Sequence, residues 1–211
     1  MRAVKKGACR MVQWDSVEQL EQYQLHQRND LPKLGTDSKL LAQFATLHRR
    51  EKGLDLGCGV GGLGGLLAQR QKELTLDGID IVPESAELAA YNLTANGLTG
   101  TIRQGDLNHC RQWAPRPGGY DLVISNPPYF APNTGKTAEG ARKTARSEAA
   151  CTVEGLCAAA GWLLHPGGRF ALCYRAERLA TLFSALEGSG IAPKRLQLVQ
   201  HSPAHSPKIV L

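Results

Sequence analysis

The nine residues LDLGCGVGG, Leu54–Gly62, constrain the fold more than any other stretch of the chain. A short apolar run leads in, a helix-forming pattern leads out, and Gly57, Gly59 and Gly62 match G-x-G-x-x-G. Glycines at this spacing let the chain turn sharply from strand to helix and let its backbone approach a ligand. Asp80 follows Gly59 by 21 residues, at the end of the next apolar run. An acid at that position accepts ribose hydroxyls in nucleotide-binding folds. Gly61, Gly64 and Gly65 add to the pattern. Each costs up to about 1 kcal/mol against alanine in a helix, so close approach of this backbone to a ligand or to a sheet is expected, with loose packing as the alternative.

Around this loop, apolar runs alternate with helical patterns. The alternation predicts an α/β fold, a Rossmann-like, doubly wound and mostly parallel sheet. Expected strands are Gly53–Gly57, Leu74–Ile81, Thr101–Gln104, Tyr120–Asn126, Arg169–Tyr174, Arg195–His201 and Lys208–Leu211. Pro83 and Glu84 suit a first helical turn, Ala86, Ala89, Ala90 and Leu93 give an apolar face, and Asn96-Gly97 suits its end. Leu179, Leu182, Phe183 and Leu186 repeat the pattern before Gly188, and a longer helix is expected from about Thr144 to Leu164. Thr36 or Asp37 is expected to cap a helix through Leu40, Leu41 and Phe44. Residues 1–30 are polar and poorly periodic and read as an N-terminal extension, with residues 31–211 as one domain.

The charge narrows the partner. The net charge of +6 points to a polyanion, RNA or another nucleic acid, with a merely soluble basic protein as the alternative. No run of about 18 apolar residues is present, so no membrane partner is expected, and the basic start MRAVKKGACRMVQW has no leader-like apolar stretch. The six cysteines are scattered without a C-x-x-C pair, which fits a reducing cytoplasm and offers no metal site. His201 and His205 are four apart, but Pro203 between them keeps them off one helical face. No obligatory protein partner is evident.

Two ligand classes fit the glycine loop, a dinucleotide such as NAD or S-adenosyl-L-methionine. Asp55, two residues before Gly57, separates them. A carboxylate there opposes a pyrophosphate and favours the ammonium and sulfonium of S-adenosylmethionine, because like charges a few ångströms apart cost on the order of kcal/mol. Asp106, followed by Leu107, ends the third expected strand, where an adenine amino group would need an acceptor. For each acid alone, a helix cap or turn is the bland alternative.

The stretch YDLVISNPPYF, Tyr120–Phe130, is a strand stopped by two prolines. As the fourth strand of a doubly wound sheet it ends at the topological switch point, where ligands bind. An exocyclic aromatic amine is a poor nucleophile, because its lone pair is delocalised into the ring. The Asn126 side-chain oxygen and the Pro127 carbonyl are suited to accept from such an amine and to stabilise the charge that grows on nitrogen. Tyr129 offers a face on which to stack an unpaired base. Arg142, Lys143 and Arg146 follow as candidate phosphate contacts.

DLGCG at Asp55–Gly59, Asp80, Asp106 and NPPY at Asn126–Tyr129 resemble the motif set of class I S-adenosylmethionine-dependent amino methyltransferases. LPKLGTDSKLL (Leu31–Leu41), ARKTARSEAACTVEGL (Ala141–Leu156), HPGGRFALCYRAERL (His165–Leu179) and PKRLQLV (Pro193–Val199) resemble the bacterial valine-tRNA adenine-N6 methyltransferases. The resemblance implies a seven-stranded sheet of order 3-2-1-4-5-7-6 with the last strand antiparallel. It also implies cofactor contacts from Gly35, Thr36 and Asp37, and methylation of an adenine beside an anticodon. Protein-glutamine N5 and ribosomal guanine-N2 methylation share the chemistry and are the nearest alternatives. An NAD-binding oxidoreductase or a nucleotide-binding module without chemistry is the alternative from another class.

Overall fold

In the computed structural model, residues 12–127 and 151–211 are described. The chain opens with a hairpin, β1 (Ser16–Leu20) and β2 (Tyr23–Gln27), followed by α1 (Thr36–Phe44). Strand β3 (Lys52–Leu56), helix α2 (Gly62–Arg70), strand β4 (Thr75–Asp80) and helix α3 (Pro83–Ala95) come next. Strand β5 (Ile102–Gln104), a short helix α4 (Cys110–Trp113) and strand β6 (Tyr120–Ser125) complete the first half. Helix α5 (Val153–Leu163) leads into β7 (Leu164–Leu172) and β8 (Tyr174–Arg175). Helix α6 (Leu179–Gly188), β9 (Leu198–Val199) and β10 (Ile209–Val210) end the chain.

The α/β expectation holds: five parallel strands lie in the order β5-β4-β3-β6-β7. The expected single sheet of seven strands differs in detail. Beyond β7 a separate three-stranded antiparallel sheet, β8-β10-β9, continues the same spatial order. The expected strand Arg169–Tyr174 divides at Cys173, whose N–H donates to Ser125 O at 3.1 Å while Tyr174 pairs with Val210. The chain therefore changes partner between consecutive residues.

Alternation along the strands sorts the core into two layers. Leu54, Leu56 and Val123 face α5 and α6 through Leu156, Leu163, Leu182 and Leu186. Ile124 and Ala171 face the other way, onto Leu41 and Ala42 of α1 and Leu63 and Leu67 of α2. Asp55, between Leu54 and Leu56, points to this second side. Helix α5 begins at Val153, with Thr152 Oγ1 accepting Gly155 N–H at 3.0 Å; the expected start at Thr144 lies outside the described residues. Helix α1 is capped by Gly35 with no side-chain hydrogen bond, so neither Thr36 nor Asp37 serves as its cap.

The hairpin is absent from the sequence reading. It packs Leu20, Tyr23 and Leu25 against Val60 and Leu88. Its free edge lies along α3. Asn92 Oδ1 accepts from His26 N (2.9 Å) and Asn92 Nδ2 donates to His26 O (2.9 Å). One turn later Asn96 does the same with Gln24 N (2.8 Å) and Gln24 O (3.0 Å). Four helical residues rise about 6 Å and two strand residues about 6.8 Å, so an i, i+4 pair of amides matches two rungs of a strand edge. The amides satisfy backbone groups that would otherwise form an open edge.

Candidate functional site

Strand β3 ends in a loop that only glycine adopts without strain. Gly57, Gly59 and Gly61 have φ of 78°, 54° and 84°. A Cβ at Gly57 or Gly59 would meet no atom within 4 Å, so the loop faces open space there. The glycines of α2 serve packing instead. A Cβ at Gly64 would lie 2.9 Å from Leu76 Cδ2, and one at Gly65 would lie 2.5 Å from the Tyr23 ring. Close approach to the sheet and hairpin accounts for these two positions.

The donors of the loop are turned inward. Gly57 N–H and Cys58 N–H both donate to Ile79 O (2.9 and 3.0 Å), Gly59 N–H donates to Asp80 Oδ2 (2.8 Å), and Gly61 N–H donates to Cys58 O (2.9 Å). A dinucleotide loop presents such N–H groups to a pyrophosphate. Here four are committed to the protein, which disfavours the NAD alternative.

Asp80 caps β4 and braces the loop: Oδ2 holds Gly59 and Oδ1 accepts Val82 N–H at 2.9 Å. Burial pushes its pKa up, against the pull of those two hydrogen bonds. Next to it Ile81 is 45% exposed, an apolar face that sequence reading passed over. Asp106 fills the bland role of a cap: Oδ1 accepts Asn108 N–H at 2.8 Å and Asn108 Nδ2 at 2.9 Å. Leu107 is partly buried and packs against the core cluster. Gly35 and Thr36 are exposed and do not line the cleft described next; Ser38, one turn on, does. Pro127 is buried, and Tyr129, Arg142, Lys143 and Arg146 lie outside the described residues.

The cleft holds about 110 Å³ at the carboxyl end of β3 and β6, between Lys33, Leu34, Ser38, Asp55, Gly57 and Asn126. Asn126 Nδ2 donates to Ser38 Oγ at 2.8 Å, across 88 residues of sequence. Its neighbour Ser125 is fully buried and donates its hydroxyl to Leu56 O at 2.6 Å, fastening β6 to β3 where the glycine loop begins. Asp55 is 2% exposed, and both its carboxylate oxygens are buried without a hydrogen-bond partner among the described residues. Burial, with Asp80 adding like charge, pushes its pKa up to about 8. Burial therefore favours the protonated form of the group that the sequence reading took as a carboxylate, and a cation in the cleft would favour the ionised form. Cys58 is raised as well, by burial and then by Asp55 and Asp80, so it is an inert thiol.

Among the described residues no group of three or more His, Cys, Asp or Glu is placed to hold a metal ion. His201 and His205 meet edge to face at 5.6 Å, and His205 Nδ1 pairs with Ser202 Oγ at 2.7 Å. No helix among the described residues is long and apolar enough to cross a membrane.

Comparison with known proteins agrees with this geometry. The chain is 38% identical over 141 residues to the tRNA1(Val) (adenine(37)-N6)-methyltransferase of Dickeya chrysanthemi (strain Ech1591), covering 65% of this chain and 54% of that protein. It is 33% identical over 159 residues to the protein of the same name from Yersinia pestis (strain Pestoides F), covering 74% and 62%. The matched part thus spans little more than half the length of these curated relatives. Among solved structures, a predicted O-methyltransferase of Agrobacterium tumefaciens superposes with a TM-score of 0.63 at 21% identity, over 83% of this chain and 78% of that one. The T. thermophilus 16S rRNA N2 G1207 methyltransferase, bound to AdoMet and guanosine, gives 0.62 at 21%, over 89% and 46%. The model of the methyltransferase small domain family matches residues 32–181, and the chain belongs to that family.

Proposed function

We propose that this protein is an S-adenosylmethionine-dependent N-methyltransferase that acts on an exocyclic amine, adenine N6 of a tRNA near the anticodon. The observation that carries the reading is the cleft itself. It places the Asn126 amide, bonded to Ser38, beside a buried Asp55 that has no hydrogen-bond partner among the described residues, under a glycine loop that faces open space at Gly57 and Gly59.

The residues present fit the cofactor. Asp55 is the group that would hold a cationic end, Gly57 and Gly59 leave room for the ligand, and Ile81 beside Asp80 offers an apolar face for a purine. The ribose lies nearest Asp80 in this reading, where each carboxylate oxygen keeps a second lone pair after accepting its backbone N–H. When bound, S-adenosylmethionine supplies an electrophilic methyl on sulfur. Asn126 Oδ1 and the Pro127 carbonyl accept from the incoming amine, and the rigid turn keeps those acceptors aimed while charge grows on nitrogen. Tyr129 is the stacking face, and Asp106 with Leu107 borders the adenine side. Gly35, Thr36 and Asp37 precede Ser38 on the entry turn of α1.

The tRNA substrate is supported by the names of the two relatives and by the net charge of +6. It would place the protein in the cytoplasm, where tRNA is modified. The test is methyl transfer from labelled S-adenosylmethionine to unmodified total tRNA, with the product nucleoside identified by mass spectrometry. N6-methyladenosine is expected; label in protein alone would overturn the RNA assignment. A thermal shift with S-adenosylhomocysteine and none with NAD is expected alongside.

A further inference from the structure

We infer that Lys33 is a specificity-determining residue of the cleft, the cation that takes the carboxylate of a ligand whose ammonium lies on Asp55. The inference deepens the proposed function, whose cofactor ends in an α-amino acid, and rests on it. An α-amino acid carries both charges within a few ångströms. A site that answers only the ammonium leaves the carboxylate beside Asp55, whose own charge repels it.

Asp55, 2% exposed and with neither carboxylate oxygen partnered among the described residues, marks where the ammonium would enter. Few groups nearby can answer the opposite charge. The N–H groups of Gly57, Cys58, Gly59 and Gly61 are committed to the protein. Leu34 N–H, on the cleft wall, donates to Gln27 Oε1 at 3.1 Å. Lys33 and the first turn of α2 line the same cleft as Asp55, and Lys33 is the only cationic side chain among the residues that line it. Helix α2 starts at Gly62 behind the N-cap Gly61, with no side-chain cap hydrogen bond. Its first N–H groups therefore carry the partial positive charge of a helix start. Lys33 Nζ donates to Asn29 Oδ1, a neutral acceptor, at 2.9 Å. That contact uses one of the three N–H groups of an ammonium.

The backbone that carries Lys33 is fixed next to that helix start. Gln27 is 5% exposed, and its Nε2 donates to Glu18 Oε2 at 3.0 Å while its Oε1 holds Leu34 N–H. Leu34 in turn covers the first residue of α2, where a Cβ at Gly62 would lie 3.0 Å from Leu34 Cδ1. The segment thus sets a lysine beside an uncapped helix and a buried acid, an arrangement suited to both charges of an amino acid.

Three ligands of one adenosyl series separate the charges. S-Adenosylhomocysteine carries both, its decarboxylated analogue keeps the ammonium alone, and 5′-methylthioadenosine has neither. By calorimetry, the Kd of Lys33→Met for S-adenosylhomocysteine should rise about fivefold, the upper range for a partly exposed ion pair. Its Kd values for the other two ligands should stay within about twofold of wild type. Lys33→Arg should restore most of the lost affinity, and the wild-type preference for the carboxylate should shrink as salt rises. Lys33 is exposed, so the variants are expected to fold with an unchanged Tm. A role confined to holding the turn through Asn29 would weaken all three ligands alike. That outcome, or an unchanged Kd for S-adenosylhomocysteine in Lys33→Met, would overturn the inference and leave the proposed function standing. A wild-type protein that binds none of the three would overturn the proposed function, and the inference with it.

Discussion

The two ends of the parallel sheet solve opposite problems with the same side chains. At the amino end the acids are paired. Glu51, 7% exposed, accepts from Arg169 Nη2 at 2.5 Å and from His48 N–H at 2.7 Å, and these partners hold its pKa down although burial alone would raise it. Asp121 accepts from Lys52 N–H and pairs with His165 Nε2, both at 2.8 Å, and its pKa is lowered by those bonds. Asp77 accepts from Tyr120 Oη at 3.0 Å and from Thr101 N–H at 2.8 Å. At the carboxyl end Asp55 has no partner among the described residues and Asp80 has only backbone N–H groups, and both pKa values go up. One end is satisfied in isolation. At the other the acids keep few partners or none among the described residues, the pattern that marks a candidate site.

Substitutions at the two ends should therefore separate affinity from stability. The largest effect is expected from Asp55→Asn. It should abolish measurable cofactor binding by calorimetry and yet raise the Tm of the free protein. The sign follows from linkage: the folded pKa of about 8 lies above the unfolded carboxylate value, so the stability present at low pH is lost as pH rises from about 4 to 8. The gain of the variant should be absent near pH 4 and reach about 5 °C or more by pH 8. A variant that is less stable than wild type at pH 8 would remove Asp55 from the contrast.

Asn126→Ala comes next. It should lower kcat by about 10²–10³ while the Kd for S-adenosylhomocysteine stays within a few-fold; near-normal turnover would contradict the role of the turn. At the opposite end, Glu51→Ala leaves Arg169 with a buried Nε that already has no partner among the described residues. It should cost about 2–3 kcal/mol by urea denaturation and leave cofactor affinity unchanged. A matching loss of affinity would show that the two ends are coupled. The smallest effect belongs to His165→Gln, at an exposed contact. The pKa of His165 is raised by the Pro166 carbonyl and then by Asp121, so the stability it adds is full below its ordinary value of about 6.5 and fades as pH rises through the raised one. The acid limit is set by Asp121 through its lowered pKa. The small Tm difference from wild type should shrink at high salt and vanish at alkaline pH.

How much of this was legible depended on how local the cause was. The glycine loop, Asp80 at the next strand end and the stop at Asn126-Pro127 were readable because each element carries its own signal: positive φ, a two-residue period, a missing donor. The hairpin was not. Its turn uses Glu21 at φ 50° instead of Asn-Gly, and its His26 and Gln27 are buried polar residues that break the apolar pattern. They are tolerated because Asn92 and Asn96, about 70 residues away, answer the backbone of β2, and because Glu18 accepts from Gln27 Nε2. The expected role of Asp106 rested on its place at a strand end, and those of Gly35 and Thr36 on the family resemblance. The structure also brings Ser38 to the cleft, and its place one helical turn past Gly35 was the hint of it in the sequence.

The sequence by itself determined the alternation of strands and helices after the hairpin, the parallel sheet and the stop at the switch point, because those follow from short-range sterics and hydrophobic period, while its motifs pointed to the class of chemistry. Only the tertiary structure decided that Asp55 is buried enough to favour its protonated form, and that a serine 88 residues away accepts from the amide of Asn126. Desolvation and hydrogen-bond partners belong to the packed surroundings of a residue, which no local stretch of sequence contains.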